Sequence, residues 1–67
     1  MNPTEILEIF IGTYKYDDFM EQWLCDNLYV PVTDIEHELY VLTDEEIEEL
    51  YIDFLVDEQR YSGKNDL

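Results

Sequence analysis

Positive charge is nearly missing from this sequence. Three Lys or Arg residues stand against eighteen Asp and Glu, which leaves a net charge of −15 on 67 residues. A protein that grips phosphates needs a basic footprint, so direct nucleic-acid binding is excluded as a function class. Attachment to an anionic membrane surface is excluded on the same ground. Cysteine is represented by Cys25 alone, which rules out an internal disulfide and fits a reducing compartment. No apolar run approaches the ~18 residues that mark a membrane-spanning helix. The opening residues Met1-Asn2-Pro3-Thr4-Glu5 carry neither the basic nor the apolar region of a secretory signal. The expected location is cytoplasmic, in the host cell if the chain is viral.

Other scarcities narrow the chemistry. With two glycines in all, no glycine-rich phosphate loop exists. The acids of Asp17-Asp18 and Asp44-Glu45-Glu46 lack the glycine and the ligand spacing of a calcium loop. Glu36-His37-Glu38 is not a zinc pattern. No metal and no cofactor are therefore expected. His37 and Cys25 are single residues on different predicted elements, a weak basis for a nucleophile and its base. Carboxylates are so frequent that none stands out as a general acid or base. The chain is not expected to be an enzyme. Alanine is absent altogether while Ile, Tyr, Glu and Asp abound, a bias that an AT-rich coding sequence produces and that suits a virus or mobile element.

What is present argues for a folded protein. Hydrophobic residues make up 46% of the chain and aromatics 15%, too many for a polypeptide held open by its charge. The length allows one domain, and folding at this size buries only about 60% of the unfolded surface. A homodimer is one support open to so small a core. The expected layout is a single acidic globular domain over residues 1–62 and a frayed tail over 63–67.

Helix signals are clear in three places. Asn2-Pro3-Thr4-Glu5 supplies an N-cap, a proline at the first helical position and a glutamate two residues on. Ile6, Leu7 and Phe10 then share a face, and Gly12-Thr13 ends or bends the helix. A short strand over 9–16 is the alternative, since Ile9 to Tyr16 is rich in strand formers. A second helix runs from Asp17 or Asp18 to Leu28 with Phe19, Met20, Trp23, Leu24 and Leu28 at helical spacing. Asp17, Asp18 and Glu21 suit the positive end of its dipole. Pro31 breaks it, and Tyr29-Val30-Pro31-Val32 should be extended. Over 35–42 the alternation of Ile35, His37, Leu39 and Val41 with Glu36, Glu38 and Tyr40 favours a strand or extended segment over a short helix. The last helix opens on the capping box Thr43-Asp44-Glu45-Glu46. Ile47, Leu50, Tyr51, Phe54 and Leu55 form its core face, and it should end near Gln59 or Arg60, with Gly63 as the stop. The fold class expected is mostly α: a small domain of about three helices with an extended or short β segment near residues 29–42, or else α+β.

The acids are unevenly placed. Between Tyr16 and Gln59 there is no Lys or Arg. In the last helix Glu45, Glu49, Asp53 and Asp57 recur every four residues, about 6 Å apart along the axis. Glu46 lies on the same flank, and Asp44 and Glu48 border the core face. A solvated helix face usually mixes signs, because like charges four apart cost about 0.2–0.5 kcal/mol per pair. Solubility asks for a net charge of only about 2–8 in magnitude, and the excess opposes compaction. The row therefore reads as a binding surface, joined by Asp17, Asp18, Glu21, Glu36 and Glu38 on neighbouring elements. Ile52 and Val56 fall opposite the core stripe, among the acids, where they need a cover: another segment, a second copy of the chain, which is the plainer answer, or a target. Tyr16, Tyr29 and Tyr40 are the best candidates for exposed aromatic contacts, Tyr40 being taken with the site.

Size, charge and the row Glu45, Glu49, Asp53, Asp57 together resemble the small acidic DNA-mimic and host-takeover inhibitors of bacteriophages: antirestriction proteins of the Ocr type, uracil-DNA glycosylase inhibitors and anti-CRISPR proteins. The glycosylase inhibitors' Glu-Ser-Ile edge-strand tripeptide does not occur here, so no residue role carries over. The resemblance implies an inhibitor that occupies the DNA-binding groove of a basic host protein. An interaction module that docks an aromatic patch on a host protein is the alternative.

Overall fold

In the computed structural model, the backbone is described for residues 1–65 and the side chains for residues 1–61. Every regular element among the described residues is helical: α1 (Pro3–Thr13), a 3-10 turn (Tyr14–Tyr16), α2 (Asp18–Leu28), a second 3-10 turn (Val32–Asp34), α3 (Ile35–Val41) and α4 (Asp44–Asn65). The strand alternative at residues 9–16 is not taken, and neither is the extended or β segment at 29–42.

Local signals explain the boundaries. The Asn2 side chain accepts from the Glu5 N–H at 2.9 Å, and Pro3 occupies the first helical position. Asp17 caps α2 by accepting from the Met20 N–H at 3.1 Å. α2 ends on Tyr29, whose φ of 59° is left-handed. That lets the N–H groups of Tyr29 and Val30 both reach the Cys25 carbonyl. A tyrosine there replaces the glycine that such a helix end favours. Pro31 is extended, with φ −71° and ψ 164°; the extended stretch predicted over 29–32 thus shrinks to the residues around it. At α4 the capping box is complete: Glu46 N–H donates to Thr43 Oγ1 at 3.2 Å, and Thr43 N–H donates to a Glu46 carboxylate oxygen at 2.9 Å. α4 then continues through Gly63 to Asn65. The rest of the expected tail, residues 66–67, lies outside the described residues.

The helix at 35–41 corrects the alternation reading. Ile35 and Leu39 are fully buried while Val41 is 57% exposed and His37 is exposed, so the buried spacing is four, not two. Glu36 and Glu38 lie in the first turn of α3, where the dipole favours acids. A strand would also need a partner to satisfy its backbone, and an isolated one is not stable.

The core joins all four helices. Ile6 and Phe10 of α1, Met20, Trp23 and Leu24 of α2, Ile35 and Leu39 of α3, and Ile47 and Phe54 of α4 are buried, with Tyr14 beside them. Phe54 is the hub. Its ring meets Trp23 at 5.2 Å, Phe19 at 5.8 Å and Phe10 at 6.0 Å between centroids. Edge-to-face aromatic pairs contribute about 0.5–1.5 kcal/mol beyond area burial. Tyr51 adds an edge contact on Phe10 at 5.7 Å, and Tyr61 stacks on Phe19 at 4.7 Å. This aromatic seam clamps α1 and α2 onto the inner side of α4 and leaves the other side of α4 to solvent.

Candidate functional site

The exposed side of α4 is the candidate site. At about 100° per residue, Ile47, Leu50, Tyr51 and Phe54 point inward and Glu45, Glu49, Ile52 and Val56 point directly outward. Burial agrees: Ile47 and Phe54 are buried, whereas Ile52 is 60% and Val56 44% exposed. Asp44, Glu45, Glu46, Glu48, Glu49 and Asp53 are all exposed. These carboxylates span nine steps of helix, roughly 14 Å of axis.

Asp57 does not belong with them. Its carboxylate accepts from the Trp23 indole N–H at 2.8 Å, a half-buried bond across α2 and α4. A buried indole N–H needs an acceptor, and Asp57 supplies it. The row of four predicted from spacing is thus an exposed row of three, Glu45, Glu49 and Asp53, with a structural carboxylate at its end. Asp17 likewise serves as the α2 cap. Glu46 is exposed but ties back to the Thr43 backbone.

The remaining candidates stand on other elements. Asp18 is exposed and Glu21 half-buried on α2; Glu36 is exposed and Glu38 half-buried on α3. Tyr40, 62% exposed, lines an open groove of ≈ 360 Å³ with Leu7 and Ile11 of α1, separate from the row. Tyr16 and Tyr29, 87% and 92% exposed, lie at the ends of connecting segments.

The apolar part of the site is larger than the sequence indicated. Leu55, read as core, is 38% exposed. It lines a groove of ≈ 330 Å³ with Met1, Ile6, Tyr51, Ile52 and Glu48. Ile52 and Glu48 also line an adjoining depression of ≈ 230 Å³ with Glu45 and Glu49. An apolar strip bordering α1 therefore runs beside the acidic row along one side of α4. Leu55 and Met1 were missed because Leu55 sits at the edge of the core stripe on a helical wheel, and nothing in the sequence brings Met1 to α4.

Elsewhere the chemistry is sparse. No group of His, Cys, Asp and Glu among the described residues is placed to hold a metal ion. Burial, with the carboxylates of Glu21 and Asp26 alongside, pushes the Cys25 thiol above its ordinary range. Little of it is thiolate at neutral pH, the reverse of an activated nucleophile. No described helix is long and apolar enough to cross a membrane. No protein-family model, curated protein or solved structure matches the chain. Function is read from this surface alone.

Proposed function

We propose that the chain is a DNA-mimic inhibitor that acts by binding. Its acidic surface occupies the DNA-binding groove of a basic host protein of the restriction, repair, CRISPR or nucleoid type. The observation that carries this reading is the exposed charge on the first half of α4. Asp44, Glu45, Glu46, Glu48, Glu49 and Asp53 fall within roughly 14 Å of axis, about one charge per 2–3 Å. B-DNA presents one per ≈ 1.7 Å of axis, or one per 3.4 Å on a single strand. The outward row Glu45, Glu49 and Asp53 carries a carboxylate about every 6 Å of axis, and Asp44, Glu46 and Glu48 flank it around the helix. A groove evolved for phosphates thus meets a cluster of comparable charge number, not a single line, on a helix fixed by its cap and its aromatic seam. The exposed Asp18 and Glu36 on other helices raise the potential around it.

The test is capture from a bacterial lysate on immobilised protein, with duplex DNA as competitor. The reading expects DNA-binding proteins on the resin, displaced by duplex DNA and released as salt rises. Capture that is indifferent to both DNA and salt overturns it and leaves the second reading, a non-mimic module that docks an aromatic or apolar patch. The exposed Ile52 and Val56 favour that alternative, because charge mimicry alone has no use for them.

A further inference from the structure

The apolar strip on α4 belongs to the same surface as the acids, and its occupant follows from what surrounds it. Met1, Ile52 and Leu55 are 68%, 60% and 38% exposed and line two adjoining grooves; Val56, 44% exposed, lies one turn beyond Ile52 on the same helix. The rim is Glu45, Glu48 and Glu49. A second copy of the chain on this strip would bring together two proteins that each carry a net charge of −15. Juxtaposed like charges cost several kcal/mol. That net repulsion opposes self-association here, and charge complementarity selects a cationic occupant with apolar residues of its own.

The shape selects its conformation. No strand is present among the described residues, so there is no sheet edge for an extended peptide to join. The groove lies between α4 and the start of α1, and its α4 wall is Glu48 and Ile52, one turn apart, with Tyr51 and Leu55 beside them. A ridge of residues four apart receives another helix by interdigitation. We infer that this groove binds a basic amphipathic helix, one whose Leu- or Ile-type side chains at i, i+3, i+4 and i+7 seat between Met1, Ile52 and Leu55 while its Lys and Arg meet Glu45, Glu48 and Glu49. The inference rests on the inhibitor reading and deepens it. DNA-reading elements are commonly helices that carry basic side chains into the major groove, so a cationic helix is the kind of element an inhibitor of this class would engage.

Two synthetic peptides of identical Lys/Leu composition test this with the intact protein. In one the leucines fall on a single helical face; in the other they are scrambled. Titration followed by amide chemical shifts is expected to show the amphipathic peptide binding at least about tenfold tighter, with the largest shifts at Ile6, Ile52 and Leu55. Ile52→Ser, and independently Leu55→Ser, should abolish that preference and leave the scrambled peptide's weaker affinity unchanged, with circular dichroism confirming the fold. Equal binding of both peptides overturns the groove but leaves a purely electrostatic inhibitor standing; no binding of either overturns both readings. Shifts centred on Tyr40 and Ile11 place the occupant elsewhere and overturn the assignment. So does a sedimenting dimer that Ile52→Ser dissociates, since the occupant is then a second copy.

Discussion

The inner and outer faces of α4 are built from the same residue types, yet only the inner one is satisfied within the chain. Inside, Ile47 and Phe54 are buried and Asp57 holds the Trp23 indole. Outside, Ile52 and Val56 face solvent among Glu45, Glu49 and Asp53. Asp53 and Asp57 are separated by one turn and share a side-chain chemistry, but one is a surface charge and the other a structural acceptor. Periodicity locates a carboxylate on a helix; only the packing of α2 decides what that carboxylate does. The proposed binding role would use this division, because the inner face holds the helix rigid while the outer face stays free.

The comparison predicts opposite costs for similar substitutions. Phe54→Ala removes the hub of the aromatic seam, which meets three rings, and should cost about 3–5 kcal/mol. A chain of this length has a total stability of roughly 3–10 kcal/mol, so thermal unfolding should lose its cooperativity or shift far downward. Asp57→Ala comes next. It strands the Trp23 N–H and should cost about 1–3 kcal/mol, with a changed tryptophan emission, whereas Asp53→Ala should stay within about 0.5 kcal/mol. Equal effects at 53 and 57 would return Asp57 to the outer row and break the distinction between the faces.

Charge reversal at the centre of the row has a smaller effect of the other sign. Glu49→Lys converts the like pairs with Glu45 and Asp53 into opposite ones. Each pair then changes from a penalty to a gain of about 0.2–0.5 kcal/mol, so urea unfolding at low salt should show a stabilisation of about 1 kcal/mol that shrinks as salt is added. The same variant should lose the basic partner. A gain in stability coupled to a loss of binding is the expected signature of a surface kept acidic for function.

Much of this architecture is legible in the sequence where one residue type has one local use. Asn2 before Pro3, and Thr43 with Glu46, specify helix starts through hydrogen bonds within three residues, and the span of α2 follows from its apolar spacing. The segment 35–41 was misread because Ile35 and Leu39 satisfy a period of two and a helical repeat equally well over so few residues; the absence of a partner strand decided it. The bond that Asp57 makes was not legible because its partner, Trp23, lies 34 residues away and no spacing rule reaches that far. The exposed side of α4 was legible as acidic and as carrying Ile52 and Val56, but its extension to Leu55 and Met1 depends on how α1 is laid against α4.

Ile52→Ala gives the smallest effect and the sharpest reading of the outer face. The side chain is 60% exposed, so truncation forfeits only the minor share of the ~1.5–3 kcal/mol that full burial would bring. Alanine returns several tenths of a kcal/mol in helix propensity. These terms oppose one another, and the net change should lie within about 0.5 kcal/mol of zero. Measuring it at two protein concentrations about a hundredfold apart adds what one measurement lacks. If a second copy covered the strip, the wild type would gain stability with concentration through mass action, and Ile52→Ala would cost more at the higher concentration. A monomeric protein with a vacant groove shows the same small change at both. That concentration independence is expected of an outer face whose apolar residues are not covered by a second copy of the chain.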